Sequence, residues 1–336
     1  MKQNHTHFIG VDVSKLTLDV CLLSGSDNTI VHAVFTNNEN GIKKMFKWIT
    51  GQKVDLHQCL FCLEHTGIYA MPLCCKLGEL NCNFALVPAI EIQRSIGLKR
   101  GKSDKADSLA IARYAMLRQQ NIRLYQLPEK KLLKLKLLIT QRQALVRHKL
   151  QFQLAAKEYK GYIAEDDMHE ISKQNKSLAR SVTVKINETE KMIEELIISD
   201  EEMKRIYDLL QSIPGIGPQT AVQLIACTRC FTSFDNSRQF ACYSGIAPFP
   251  YTSGTSIKGK NKVSPFANKQ MKALLNLAAM NAKKADRQLF EYAERKLQEG
   301  KNKMLILNNI RNKLVARIFA TIKRGTPYVQ IFKYAA

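Results

Sequence analysis

The chain has 336 residues, of which 51 are Lys or Arg and 29 are Asp or Glu, a net charge of +22. Such an excess of cations is the electrostatic footprint of a polyanion binder, and the length suits two domains with a connecting element rather than one core. No segment approaches the ~18 uninterrupted apolar residues of a membrane span, and the polar start MKQNHTH lacks the apolar stretch of a signal peptide. The expectation is a cytoplasmic protein without a membrane partner, in which nine cysteines stay reduced.

Residues 1–127 alternate strand and helix signals. Runs at 8–13, 17–23 and 30–36 predict three strands in meander, and a helix follows over 40–49 through Ile42, Met45, Phe46 and Ile49. A fourth strand is expected at 56–63, a helix at 68–80, a fifth strand at 83–87 and a helix at 103–117. The fold class that follows is α/β plus all-α, with a mixed sheet and helices packed on it in this first domain. The stretch 128–204 has almost no Gly and predicts two long helices. Val182, Ile186, Thr189, Ile193 and Leu196 recur at four-three spacing, a heptad-like seam. It reads as a helical, coiled-coil linker, serving either oligomerisation and spacing or packing within its own chain.

The third part, 205–336, opens on LLQSIPGIGPQTAVQLIA. Pro-Gly-Ile-Gly between two apolar helical segments is a helix-hairpin-helix signature, in which Gly215 and Gly217 let backbone N–H groups approach a phosphate. The same pattern also serves as a tight turn used only for packing. Basic helices follow, and residues 254–336 carry eighteen Lys or Arg against four acids. Lys258, Lys260, Lys262, Lys269 and Lys272 open that stretch and are candidate contacts to nucleic-acid backbones, whose grip weakens with salt.

The chemistry falls in two places. Asp12 sits mid-strand in FIGVDVSK, and Glu64 falls where the fourth strand ends in CLEHTGIY. Asp104 and Asp107 share a helix face in KSDKADSLAIARY. A carboxylate at the end of an apolar strand is costly to bury unless paired, hydrogen-bonded or metal-bound. Four such groups suit magnesium, and two metals per site would fit phosphoryl transfer. Singly, Asp104 reads as a helix cap and Asp107 as a solvated residue. The second place is YTSGTSIKGK, where Ser253 is a hydroxyl beside lysines; by composition alone it is ordinary loop material. Cys59-x-x-Cys62 and Cys227-x-x-Cys230 have zinc-like spacing, but the first pair points to opposite faces of a strand and the second has no partner pair nearby.

With these motifs in order, the chain resembles the DEDD transposases of the insertion-sequence 110 family, which includes pilin-gene invertases and bridge-RNA-guided recombinases. GVDVSK, E-x-T-G-x-Y over 64–69 and S-D-x-x-D over 103–107 match its acidic quartet, and IPGIG, RQFACYSGIAP and SGTS match its C-terminal domain. The resemblance implies a ribonuclease-H/RuvC-like domain, a coiled-coil linker and a helical domain bearing a catalytic serine. It assigns magnesium to Asp12, Glu64, Asp104 and Asp107, and nucleophilic attack on DNA to Ser253, with Ser256 three residues on as the alternative hydroxyl. It further implies double-stranded DNA as substrate, a structured guide RNA, a homo-oligomer (dimer or tetramer) that pairs the acids of one protomer with the serine of another, and a bacterial nucleoid setting. His65 departs from the small residue common after the glutamate. Three rival classes remain: a Holliday-junction resolvase needing no serine, an actin-like ATPase that lacks its second Gly-rich strand here, and a basic architectural protein that leaves the acids without a role.

Overall fold

The protein is described by a computed structural model covering residues 5–97, 103–158, 165–253 and 257–330. It divides into two compact units, Met1–Leu127 and Pro128–Ala336.

The first unit is built on β1 (His7–Val13), β2 (Thr17–Ser24) and β3 (Ile30–Thr36), followed by α1 (Glu39–Gly51). Then come β4 (Cys59–Glu64), α2 (Met71–Glu79), β5 (Asn83–Val87), α3 (Ala89–Ile96) and α4 (Asp104–Arg118). The five strands form one sheet in the order β3-β2-β1-β4-β5. β1, β2 and β3 pair antiparallel, while β1–β4 and β4–β5 are parallel. This mixed sheet is the one the sequence predicts and is consistent with a RuvC-like fold.

Strand alternation sorts the apolar residues into two cores. Ile9, Val11, Leu18, Val20, Phe61 and Leu63 share one with Met45 and Leu73 of α1 and α2. Phe8, Cys21, Leu23, Leu60, Cys62 and Ala85 share the other with Ile92 of α3 and Ile111 and Ala115 of α4. A sheet covered on both sides accounts for strands that are almost continuously apolar.

Three local details differ from expectation. The segment before β4 is a 3-10 turn at Leu56–Gln58, fastened by Asp55 accepting from the His57 amide. Another 3-10 turn, Gly67–Ala70, precedes α2, and Pro72 in the first turn of α2 lacks an amide that has no partner there anyway. Helix α3 was not expected, because it follows Pro88 directly and spans only eight residues.

The second unit is mostly helical. α5 (Lys130–Glu158) and α6 (Glu165–Ile198) lie along each other, and the four-three seam supplies the buried side of α6 at Ile186, Thr189, Ile193 and Leu196. Leu132, Leu135, Ile139, Ile193 and Ile197 join the core of the helices that follow. Those are α7 (Glu201–Gln211), α8 (Pro218–Thr228) and α9 (Ser237–Tyr243). A two-stranded arm, β6 (Phe249–Ser253) with β7 (Ile257–Lys262), comes next. α10 (Lys269–Ala285), α11 (Arg287–Gln298) and α12 (Lys303–Arg324) complete the unit. Asp286 ties these last helices together. It accepts from the Leu289 amide at the start of α11 and pairs with Arg317 of α12 at 2.8 Å.

Candidate active site

The carboxyl ends of β1 and β4 point the same way, because the two strands are parallel. Val11 lies beside Leu63, so one step further along this register sets Asp12 beside Glu64. Both fall on the sheet face covered by α4, by alternation from Phe8 and Cys62. Helix α4 begins at Asp104, with Ser103 as its cap accepting from the Ala106 amide, and Asp107 shares the first turn.

Gly10 brings this helix to the acids. A Cβ at that position would run into the Ser108 carbonyl oxygen and the Ala112 amide, so the backbone of α4 rests directly on β1 two residues before Asp12. Only glycine permits that approach.

The electrostatics record the grouping. The Asp12 carboxyl is pushed up from its ordinary 3.8 to about 6, first by burial and then by the charges of Glu64, Asp107, Asp104 and Asp19. All four predicted acids therefore act on one locale.

Asp19 is a fifth carboxylate that the motif reading missed. It is the cross-strand partner of Asp12 on β2, is buried, and lies 3.3 Å from His32 Nε2. That contact lacks the alignment of a hydrogen bond. A signal for Asp19 was available. A two-residue turn at Lys15–Leu16 pairs Ser14 with Thr17, and counting outward sets position 12 opposite 19.

Oxygen donors of this kind suit a hard divalent cation, and a cation would relieve the repulsion felt by Asp12. Among the described residues, no group of three or more His, Cys, Asp or Glu side chains is already arranged to hold a metal. The carboxylates influence one another without converging. His65 is exposed beside Glu64, its amide bonded to the Val87 carbonyl. The cysteines give no alternative centre. Cys59 and Cys62 occupy opposite cores, and burial pushes the Cys62 and Cys227 thiols up to about 12.

In the second unit, Ser253 ends β6 with its backbone opposite Ile257. The side chains of Ser253, Lys258 and Lys260, and Ser256 altogether, lie outside the described residues. Lys262 and Lys269 are exposed, and the stem of Lys272 passes by Gly245.

The segment between α7 and α8 divides the work of its glycines. Gly215 has φ +92°, and a Cβ there would meet the Ala278 carbonyl and Ala282 of α10. Its missing side chain is thus accounted for by helix packing. Gly217 caps α8 with open space around it and no side-chain bond to the helix. Beside this helix start, Glu190 accepts from Arg142 Nε at 2.6 Å and from Gln219 Nε2 at 3.0 Å. A cleft of about 540 Å³ adjoins it, lined by Glu190, Glu194 and Asp208 together with Lys191 and Lys204.

Two families match the chain. One, described as a transposase of the DEDD IS110 type, matches residues 9–157. The other, described as the transposase IS116/IS110/IS902 family, matches residues 207–294. Pilin gene-inverting proteins of Moraxella bovis and Moraxella lacunata are each 26% identical over 329 residues, covering 96% of this chain and 97% of theirs. An uncharacterized protein of insertion element IS110 from Streptomyces coelicolor is 32% identical over 152 residues, covering 45% of this chain and 37% of its own. The first family spans β1 through α5, and so holds all four predicted acids; the second spans Gly215, Gly217 and the β6–β7 arm.

Proposed function

Since the chain belongs to the IS110 family of transposases, we propose that it cuts and rejoins DNA strands of a mobile insertion sequence, using metal-bound carboxylates and a serine nucleophile. The observation that carries this reading is the grouping of Glu64, Asp104 and Asp107 around Asp12, whose carboxyl is raised to about 6 first by burial and then by these neighbouring charges. Carboxylates facing a DNA surface repel phosphate unless a cation stands between them, so a basic architectural protein has no use for the group.

Asp12, Glu64, Asp104 and Asp107 are the residues that would hold magnesium, with Asp19 behind Asp12 adding negative charge to the same face. When bound, the metal supplies charge neutralisation at the phosphate under attack. Gly10 keeps the two α4 acids in fixed relation to Asp12 and Glu64. Ser253 supplies the nucleophile. Its Oγ gives up its proton and forms a bond to a DNA phosphorus while a phosphorus–oxygen bond to the sugar breaks, and the freed sugar oxygen takes up a proton in return. Attack by a sugar hydroxyl on the serine ester reverses these changes and rejoins the strand. The basic residues from Lys258 to Lys272 hold backbone phosphates around the arm. The overall charge of +22 also suits a structured RNA transcribed from the element that selects DNA sites. A dimer or tetramer, pairing the acids of one protomer with the serine of another, is the working form that goes with this reading.

Site-specific inversion is the second reading, favoured by the pilin gene-inverting relatives that match almost end to end. A covalent-trapping assay tests the core of the proposal. The full chain, co-expressed with flanking element RNA, is incubated with element-junction and target DNA and magnesium, then denatured. An adduct lost in Ser253→Ala and kept in Ser256→Ala supports serine attack. Cleaved DNA without any adduct would move the reading to resolvase-like hydrolysis.

A further inference from the structure

Next to the acids, at the same end of the sheet, the chain exposes apolar side chains that the fold itself does not use. Leu16 in the β1–β2 turn is 73% exposed, and Ile68 and Tyr69, just after β4, are 64% and 44% exposed. Scattered apolar residues at a surface need no explanation, but these are fastened together. Asn37, at the end of β3, donates its backbone amide to the Leu16 carbonyl at 2.8 Å. Its side-chain Nδ2 donates to the Ser14 carbonyl at 2.8 Å and to the Tyr69 carbonyl at 3.0 Å.

One asparagine thus holds two turns side by side and fixes the rim they form. Lys15, exposed in the first of these turns, has no ion pair or hydrogen bond among the described residues. The rim lies at the same end of the sheet as the carboxylates, because Glu64 ends the strand from which the second turn leaves, four residues before Ile68.

Paired DNA offers such a rim little to touch, since a duplex presents phosphates, sugars and the polar edges of its bases. The flat apolar surface of nucleic acid is the base face, available only when a base leaves the stack. We propose that Leu16, Ile68 and Tyr69 form a platform that receives an unstacked nucleobase next to the phosphate under attack, with Lys15 on the adjoining backbone phosphate. The role of the platform rests on the reading of the acids as the DNA-cutting site. The site then selects DNA that is locally opened rather than continuous duplex, which gives the enzyme a structural preference independent of base sequence.

Photocrosslinking decides it. A twelve-nucleotide single strand carrying 5-iododeoxyuridine, and the same sequence as full duplex, are irradiated with the full chain in EDTA, and crosslinked peptides are mapped by mass spectrometry. The expected result is a crosslink at Tyr69 with the single strand and not with the duplex. Its yield should fall about tenfold when Leu16 and Ile68 are both changed to Ser, and be kept in Tyr69→Phe, which leaves the ring in place. Equal yield from single strand and duplex, no crosslink at Tyr69, or a yield indifferent to the Leu16→Ser and Ile68→Ser changes would each overturn the proposal. Because the readout needs neither metal nor cleavage, it stands apart from the acid chemistry, which the activity of Asp12→Asn tests separately.

Discussion

The two units handle charge in opposite ways. In the first, like charges are forced together: a helix set directly on a strand at Gly10 brings Asp104 and Asp107 to bear on Asp12 and Glu64, with no basic side chain among the causes acting on Asp12. In the second, unlike charges are matched. Glu190 takes Arg142 and Gln219, Asp200 takes Lys131 at 3.1 Å, and Asp286 takes Arg317. A fold gains nothing from crowding carboxylates, so a crowd maintained by a close backbone contact marks a site kept for chemistry. The matched pairs of the second unit hold helices in place and leave the surplus lysines for a polyanion.

That contrast can be broken at its strongest point. Asp12→Asn and Glu64→Gln are expected to lower strand exchange about a thousandfold, and Asp104→Asn and Asp107→Asn to abolish detectable product. In all four, salt-sensitive DNA binding should persist, as measured by fluorescence anisotropy across a salt series. Binding lost together with activity would assign the acids to folding.

The next largest effect concerns the two close-approach glycines. Gly10→Ala and Gly215→Ala each drive a methyl group into the backbone of a helix, and should cost about 3 kcal/mol or more in chemical denaturation. Gly217→Ala meets open space at φ −89°, so it should lose only the cap preference, about 0.5–1 kcal/mol, while weakening DNA binding at the start of α8. Equal stability losses at Gly215 and Gly217 would contradict the division of labour between them.

A smaller effect carries a pH signature. Because the folded state raises the Asp12 carboxyl from 3.8 to about 6, it binds that proton more tightly than the unfolded chain does. Stability from this group is therefore greatest below pH 4, declines as pH rises to 6, and stays low above that. In EDTA, Asp12→Asn should raise the melting temperature by about 2–5 °C at pH 7 and by nothing near pH 4. Added magnesium should raise the wild-type melting temperature and leave that of the variant alone. The smallest change is expected from Glu190→Gln. Removing one negative charge beside the start of α8 should tighten duplex binding about two- to fivefold at low salt and not at high salt.

The first unit was the more legible of the two, for physical reasons. Strands buried on both faces write themselves as Val/Ile/Leu runs, and acids interrupting those runs at FIGVDV and CLEH stand out. The capping serine and the three-residue spacing of Asp104 and Asp107 set both at the start of α4. Asp19 escaped because no motif marks it; its importance comes from register rather than composition. Helix α3 escaped because eight residues carry too little periodicity to register. In the second unit, PGIG reads the same whether its glycines face a phosphate or a neighbouring helix; the φ of +92° at Gly215 and its approach to Ala278 and Ala282 separate it from Gly217. The β6–β7 pairing was hidden in a polar Ser/Thr/Lys stretch without strand alternation.

The long α5–α6 pair has a mechanical corollary. At about 1.5 Å per residue, the 29 residues of α5 extend for about 43 Å. Its buried side chains, Leu132, Leu135 and Ile139, all lie in the first third, and no described α5 residue beyond them is buried; on α6 the buried positions concentrate from Ile186 to Ile197. The pair is clamped at its root, and further out α5 is joined to α6 through half-buried side chains such as Arg142, which pairs with Glu190. Amide hydrogen exchange should accordingly form a gradient, slow near residues 135 and 193 and quickening toward 155 and 169. A rod of that kind bends at its far end while its base keeps the register of the core, so motion imposed there need not unseat the helices below.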